Sequence, residues 1–528
     1  MKRLFLGLAV VAALWTAACS SGGGGTTPPP NPGGFGLDSL NGQYAFVTNG
    51  QSFTGSLSSL ARVGSFTADG AGNITGGIED VNADGTVTNA VAITGGTYKV
   101  NTDGRGFITL QLGQNSVEFG ITLTSTNDGL LIDETNTSAQ SSTGSGNFIK
   151  QNAGSFAASG VAGPYVFDFA GLDGSQQFPC PCPESFIGRF DAAGGVITSG
   201  SFDDNDNGQF ISGAITTGSF VADSLSPSSL TSFGRGVVQI AGQNFVFYIV
   251  NGTRVRFIST SAGMLSGDAV AQDNTIPSNV AALNSGFAFI VAGSSGSGGL
   301  TRVGRFTANG ATVSNVLVDT NDAGQFTQTT GATNASVTLD PANPGRGTVT
   351  FKGNGLSTPF TFVFYLSSAR QGVIQEITAS SGGVAAAVAD GSIAAQTGNP
   401  FSTSNITGGY ALNWSGLSLQ NGINDEEDLV GQAKVTNLAL SGAADIFQFQ
   451  APAPQFDNTV SGSIVIKGDG TGGDGTANRN TMLVTLTKNG ASTNVNFVIY
   501  FVSPQLAFIT NTSTSNTRLV AGILKAQQ

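Results

Sequence analysis

The sequence predicts an all-β protein: four tandem antiparallel domains, each an up-and-down meander barrel of about eight strands. The first observation behind this is composition. The 528 residues include 76 Gly and 36 Phe, and only 10% are charged. Short apolar runs broken by Gly, Asn, Asp and Ser suit many strands joined by tight turns. The second is repetition: a landmark order of aromatic opening, Val-Gly-x-Phe run, Gly-rich turn and apolar strand recurs along the chain. The third is a period of two. Tyr44 and Phe46 share one face of their run, as do Tyr165, Phe167 and Phe169, with Ala45 or Asp168 on the other. A two-sheet sandwich satisfies the same pattern and is the alternative.

The N-terminus sets the address. Lys2 and Arg3 precede a mostly apolar stretch from Leu4 to Ala18. That is a signal-peptide core, short of the roughly 20 residues of a spanning helix. Thr16, Ala17 and Ala18 before Cys19 resemble a bacterial lipobox, with Thr16 where Leu is more usual. The resemblance implies a signal peptide over 1–18, cleavage before Cys19 and lipid attachment at Cys19. Ser20, where an Asp would retain the protein at the inner membrane, implies export to the outer membrane or cell surface. Residues 19–39 then read as a Gly/Pro-rich tether that holds a folded body off the membrane.

Four units follow, expected at 40–151, 161–272, 283–396 and 406–528. Their openings carry Tyr44, Tyr165, Phe287 and Tyr410, about 120 residues apart, a domain-sized period. Their endings match as well: GNFIKQ, GDAVAQ, GSIAAQ and GILKAQ. Between these lie VGSF, IGRF, VGRF and VGQA, then the turns DGRG, FGRG, PGRG and DGTG. The late strand VEFGI from Val117 reads as the counterpart of FVFYI from Phe245. Each unit has its own strand set and aromatic stripe, and is expected to fold around its own core.

An Asp/Asn motif recurs in three units: Asp80, Asn82 and Asp84; Asp203, Asn205 and Asn207; Asp319 and Asn321. Alternating oxygen-bearing residues before a Gly suit a hairpin turn, where Asn, Asp and Gly adopt positive φ cheaply. They also suit a weak calcium site, although the bidentate Glu of a full calcium loop is missing at its offset. The turn is the first reading and calcium the second. The fourth unit lacks the motif. Cys180 and Cys182 read as a disulfide first, free loop thiols second and metal ligands third.

Several functions are excluded. The net charge is −12 and no Lys/Arg cluster exists, so nucleic acid and anionic headgroups lack a basic surface to engage. Without His, no His-based triad or general base can form. Asp133 and Glu134 are the best-placed acids for a carboxylate site, but the matching stretches RFISTS and AFITNT lack acids, so a solvated strand end is expected. The GRG segments are followed by neither a helix nor a phosphate-binding Lys and read as turns.

The Gly-x-Tyr openings and meander order resemble the calycin barrels, lipocalins and avidins, which open on Gly-x-Trp; that likeness implies fold and carries no ligand residues. The text as a whole resembles uncharacterised secreted repeat lipoproteins of acidobacterial type, which implies no activity. The expected function is therefore a non-catalytic outer-surface lipoprotein, anchored in a membrane and binding a surface or extracellular ligand, with no cofactor beyond weak calcium. The alternatives are a calycin-like carrier of a small apolar ligand and a secreted enzyme with a carboxylate site.

Overall fold

The computed structural model describes residues 34–528 except 54–56, 138–140, 174–181, 262, 331–332, 353–358, 379–386, 399, 420–424, 449–453, 468–478 and 513–516. Cys19, the signal segment, most of the tether and Cys180 lie outside the described residues. Four antiparallel sheets follow one another along the chain. The first contains β1 (Asn41–Phe53), β2 (Leu57–Asp69), β3 (Asn73–Ala83), β4 (Thr86–Ile93), β5 (Gly95–Val100), β6 (Arg105–Leu112), β7 (Asn115–Leu123), β8 (Asp128–Asp133) and β9 (Ser141–Lys150). Last strand β9 pairs with β1, and β2 pairs with β3, so the meander closes into a barrel. Its fourth strand is broken: β4 pairs with the second half of β3 and β5 with the first residues of it.

The third sheet, from β18 (Asn284–Ser295) to β26 (Val388–Ala395), repeats this plan. The fourth, from β27 (Gly408–Ser418) to β34 (Arg518–Ala526), is a closed eight-stranded barrel with an unbroken fourth strand. The second, from β10 (Gly163–Asp173) to β17 (Met264–Ala271), is closed by single bridges, Val196 to Ser219 and Val221 to Val237. A five-residue helix, α1 (Ser229–Phe233), interrupts that connection, an element the periodicity did not announce.

The barrels are filled. In the first, Tyr44, Phe46, Phe66, Phe119 and Phe148 interlock with ring centroids 5.5–6.1 Å apart. In the second, nine Phe and Tyr165 form one buried cluster. Burying each such ring is worth about 1.5–3 kcal/mol. The repeated Val-Gly-x-Phe text has a packing cause. A Cβ on Gly64 would lie 2.6 Å from the Phe46 ring, and Gly188 and Gly304 are covered in the same way by Phe167 and Phe289. The opening Tyr has one as well. The Tyr44, Tyr165 and Tyr410 hydroxyls donate to the carbonyls of Thr126, Gly252 and Pro504 in the turn that follows the apolar strand, capping the barrel end.

Register corrects one alignment. Arg105 pairs with Thr122, whereas Arg235 pairs with Tyr248 and Arg346 with Tyr365. Phe119, two residues beyond Val117, is therefore the counterpart of Phe245, and Thr122 stands where the other barrels carry Tyr.

The barrels are joined in a ring. The second strand of each packs against the last three strands of the next: β2 on β15–β17 (Gln243–Asn251, Arg254–Ser259, Met264–Ala271), and β11 (Cys182–Ala193) on β24–β26 (Phe360–Ser368, Gln371–Glu376, Val388–Ala395). Then β19 (Gly298–Asn309) lies on β32–β34 (Ala491–Ser503, Leu506–Asn511, Arg518–Ala526), and β28 (Asp425–Thr436) returns to β7, β8 and β9. One heterologous contact used four times closes on itself. The conserved Gln of each unit ending serves this contact. Gln151, Gln272 and Gln396 donate to carbonyls of Ile249, Leu366 and Phe501 in the next barrel, at 2.7–2.8 Å. Gln527 donates to Leu123 of the first barrel at 2.9 Å, and Gln528 N–H to Thr124 at 2.7 Å.

Candidate functional site at the barrel seams

The Asp/Asn motif divides between two jobs. Its last residue is a turn residue: Asp84 and Gly85 (φ 47° and 81°), Asn207 and Gly208 (50° and 85°), and Ala323 and Gly324 (49° and 83°) form tight hairpin turns. The preceding Asp and Asn lie inside the strand, buried, and face the neighbouring barrel. Arg235 donates from Nε and Nη2 to both Asp80 oxygens at 2.7 Å, and the Tyr248 hydroxyl donates to the same carboxylate. Arg346 and Tyr365 hold Asp203 at 2.6–2.7 Å. Arg479 and Tyr500 hold Asp319 at 2.6–3.1 Å. The Asn two residues on seals the strand ends beside this pair. Asn82 donates to the carbonyls of Ser259 and Gly263, Asn205 to Glu376 and Ala387, and Asn321 to Asn511 and Arg518.

A bidentate Arg–carboxylate pair with a third donor is a directional, charge-assisted contact. It consumes the oxygens that calcium would need, and the Asn side chains present N–H to carbonyls. Asp84 in turn accepts the Ser59 N–H at 2.8 Å. Among the described residues no three acids, Cys or His come together as a metal set. Asp80, Asn82, Asp203, Asn205, Asp319 and Asn321 are therefore seam residues in this structure. Two of the cations that meet them, Arg235 and Arg346, come from GRG segments read from the sequence as turns; the third, Arg479, lies beyond the DGTG segment taken as their counterpart. Cys182 is disulfide-bonded at the start of β11.

The fourth seam differs. Asp80, Asp203, Asp319 and Asp445 occupy one register position, opposite Val63, Ile187, Val303 and Val430. The fourth unit has thus kept the Asp and lost the Asn, whose place is taken by Phe447. Across this seam Arg105 Nη1 stands 3.8 Å from Asp445 and is drawn instead to Asp457 at 2.9 Å, while its Nε binds Asp103 at 3.0 Å. Thr122 replaces the tyrosine, and its buried hydroxyl has no partner. Gly120 stands where Val246 stands in the second barrel, by the same register.

These truncations leave a cleft of about 280 Å³ between the fourth and first barrels. Glu118, Glu134, Asp445 and Asp457 line it, with Lys99 and Arg105, and with Phe107 and Phe456 at 36% and 43% exposure. The Glu134 carboxyl lies over Gly120, where a Cβ would meet its Oε1 at 2.5 Å. Glu134 is 3% exposed and its Oε1 has no hydrogen-bond partner. Burial, then the charges of Asp445 and Glu118, push this carboxyl well above the ordinary range. Burial also raises Glu118, and raises Asp445 against the pull of the Asp457 N–H and Arg105.

The expectation of a solvated strand end at Asp133 and Glu134 is thereby corrected: both are buried. Asp133 points into the first barrel, accepts from Thr135 and Ser142, and lies 3.5 Å from Arg62, which also binds Glu79 at 3.0 Å. Arg62 supplies the countercharge for Asp133 and Glu79.

No family model matches the sequence, and no curated protein matches it. Among solved structures, transferrin binding protein B from Haemophilus parasuis Hp5 is similar at 11% identity and TM-score 0.19, over 75% of this chain and 82% of that one. The isotype 1 protein of the same name from serogroup B Neisseria meningitidis matches at 10% identity and TM-score 0.20, over the same shares. Overlap at this level carries no functional weight.

Proposed function

We propose that the chain is an exported, lipid-anchored, non-catalytic binding protein whose ring of four barrels presents a ligand cleft at its closing seam. The observation that carries this is the contrast among the seams. At the first three an Arg and a Tyr hold the recurring Asp, whereas at the fourth Asp445 has no such pair and a cleft with Glu134 Oε1 unpaired opens beside it. A buried carboxylate oxygen without a partner calls for one, either a water or a bound group. The carrier alternative requires a hollow barrel, and these interiors are packed with aromatic rings. Asp133, one of the two acids of the enzyme alternative, is occupied by Thr135, Ser142 and Arg62.

The signal segment, the small residues before Cys19 and the Gly/Pro tether support membrane anchoring of this body, with Cys19 as the lipid attachment point. Native mass spectrometry of the mature chain recovered from its host tests binding: a reproducible non-lipid adduct is expected, and a bare mass overturns the reading. Cell fractionation of Cys19→Ser tests the anchor. Release into the soluble fraction is expected, and unchanged membrane retention removes the lipoprotein assignment.

A further inference from the structure

We propose that the closing-seam cleft takes a primary ammonium group, with Glu134 and Glu118 as its acceptors and Phe107 and Phe456 flanking its methylene chain. This deepens the binding reading and rests on it. The argument begins with charge. Four carboxylates line the cleft against one Arg and one Lys, and Arg105 already has Asp103 outside the cleft to satisfy. An anionic ligand would add to the negative charge of Asp445 and Glu118 that, with burial, already disfavours ionised Glu134, whereas a cation relieves it. A neutral polyol satisfies hydrogen bonds but leaves the charge imbalance in place. An inorganic cation needs several converging oxygens, and no such set occurs among the described residues.

An ammonium group answers both needs. It carries one positive charge and three donors, so a single group can serve Glu134 Oε1 and Glu118 together. Glu134 is built for this. It is almost wholly buried, lies against Gly120, and stands at the position of Thr260 in the second barrel: the Glu134 N–H bonds the Glu118 carbonyl as the Thr260 N–H bonds that of Asn244. The fourth seam therefore carries an acid where an equivalent seam has none, directly beside the missing tyrosine. Phe107 and Phe456 are exposed aromatic rings at this cleft, and such rings attract a cation and cover an alkyl stem. The same chemistry is offered by a free alkyl diamine and by a lysine side chain of a peptide.

The test is isothermal titration of the full mature chain at low salt with 1,4-diaminobutane, N-acetyl-lysine amide and glucose. Saturable binding of an amine at one site per chain is expected, weakened at least about tenfold in Glu134→Gln and by added salt. Tighter binding of the diamine assigns a free amine; tighter binding of the lysine derivative assigns a peptide side chain. Gly120→Val is the second variant, since its side chain displaces the Glu134 carboxyl without removing charge, and it should weaken binding likewise. Glucose binding without amine binding, no saturation with either amine at about 10 mM, or equal affinity in wild type and a folded variant overturns the proposal. Amine silence beside another reproducible adduct removes the ammonium assignment and leaves the binding reading standing.

Discussion

The seam between the first and second barrels and the seam between the fourth and first use the same surface and reach opposite results. In the former, Asp80 is gripped by Arg235 and Tyr248, and Asn82 seals the strand ends beside it. In the latter, Asp445 sits at the same register position, but its Arg is divided among three acids, its tyrosine is Thr122 and its asparagine is Phe447. Both seams bury acids. Only the first gives its acid a dedicated cation and phenol. A repeated interface therefore stays a structural device where its donor set is complete, and becomes a cleft where two side chains are shortened.

The largest test of this comparison removes the acid from each seam. Asp80→Ala leaves Arg235, which is fully buried, with Asp223 as its remaining partner. Breaking a buried pair on one side costs about 3–5 kcal/mol. Asp445→Ala removes an acid that burial already disfavours, while Arg105 keeps Asp457 and Asp103. Its effect should be smaller, about the 0.5–1.5 kcal/mol of the one hydrogen bond Asp445 accepts from the Asp457 N–H. Urea midpoints of the two variants measure the difference. Equal losses would show that the two seams are energetically alike.

The second test acts on the cleft. Glu134→Thr installs the residue found at the equivalent position of the second barrel and removes an unpaired buried carboxyl. Leaving such a group buried costs about 1–3 kcal/mol, so the variant should melt higher than wild type by an amount of that order. A lower melting temperature would show that Glu134 has a stabilising partner. A third test opens the ring at its chemical end. Deleting Gln527 and Gln528 removes the Gln527 side-chain bonds to Asp103 and Leu123 and the Gln528 backbone bond to Thr124. At about 0.5–1.5 kcal/mol per bond, the closing seam should weaken measurably. Limited proteolysis should then cut first between the fourth and first barrels. An unchanged digestion pattern would mean that the apolar contacts of β28 with β7, β8 and β9 hold the ring without the tail.

How much of this could be read from the sequence depends on distance along the chain. The barrels could, because strand, turn and core signals are local: Tyr44 and Phe46 alternate within one strand, and Val63–Phe66 carries its glycine beneath a ring one strand away. The seams could not. Arg235 lies 155 residues from Asp80, Arg346 143 from Asp203, and Arg479 160 from Asp319. The motif was also ambiguous, since Asp84 and Gly85 make a turn that Asn82 braces by accepting the Gly85 N–H at 2.9 Å, while Asp80 binds Arg235 across the seam. One signal was present. The Asp/Asn pair is present in the first three units, and the Arg residues that meet it, Arg235, Arg346 and Arg479, each lie one unit further on. A partnership between successive units fits that distribution better than calcium does. The text match at VEFGI hid the rest, because it placed Gly120 rather than Thr122 opposite the tyrosines.

The smallest expected effect is a divergence of the seams with pH. Asp428 lies in the closing seam, where Thr143 of the first barrel donates to its Oδ2 at 2.6 Å. Burial pushes it from 3.8 up to about 7, against the hydrogen bonds of Ser415 and Thr143. A carboxyl whose folded value is raised contributes stability that is full below its unfolded value and disappears as pH rises through the folded one. The closing seam should therefore loosen as pH climbs through about 7, and Glu426 and Glu134, both raised mainly by burial, act in the same direction. Asp203 at the second seam has the opposite sign. Burial works to raise it, but hydrogen bonds from Arg346, Ser212 and Tyr365 outweigh burial and hold it below its ordinary value. Its contribution is present above the ordinary carboxylate value and is lost only as pH falls below that. Hydrogen exchange, corrected for intrinsic rates, should show β28 less protected at about pH 9 than at about pH 5, and Asp428→Asn should reduce that difference. The difference is small because β28 is also held within its own barrel, where Arg518 pairs with neighbouring Glu427 at 2.8 Å. If Asp428→Asn leaves the loss of protection unchanged, or if β28 gains protection at the higher pH, the acids of the closing seam are not the source of its weakness.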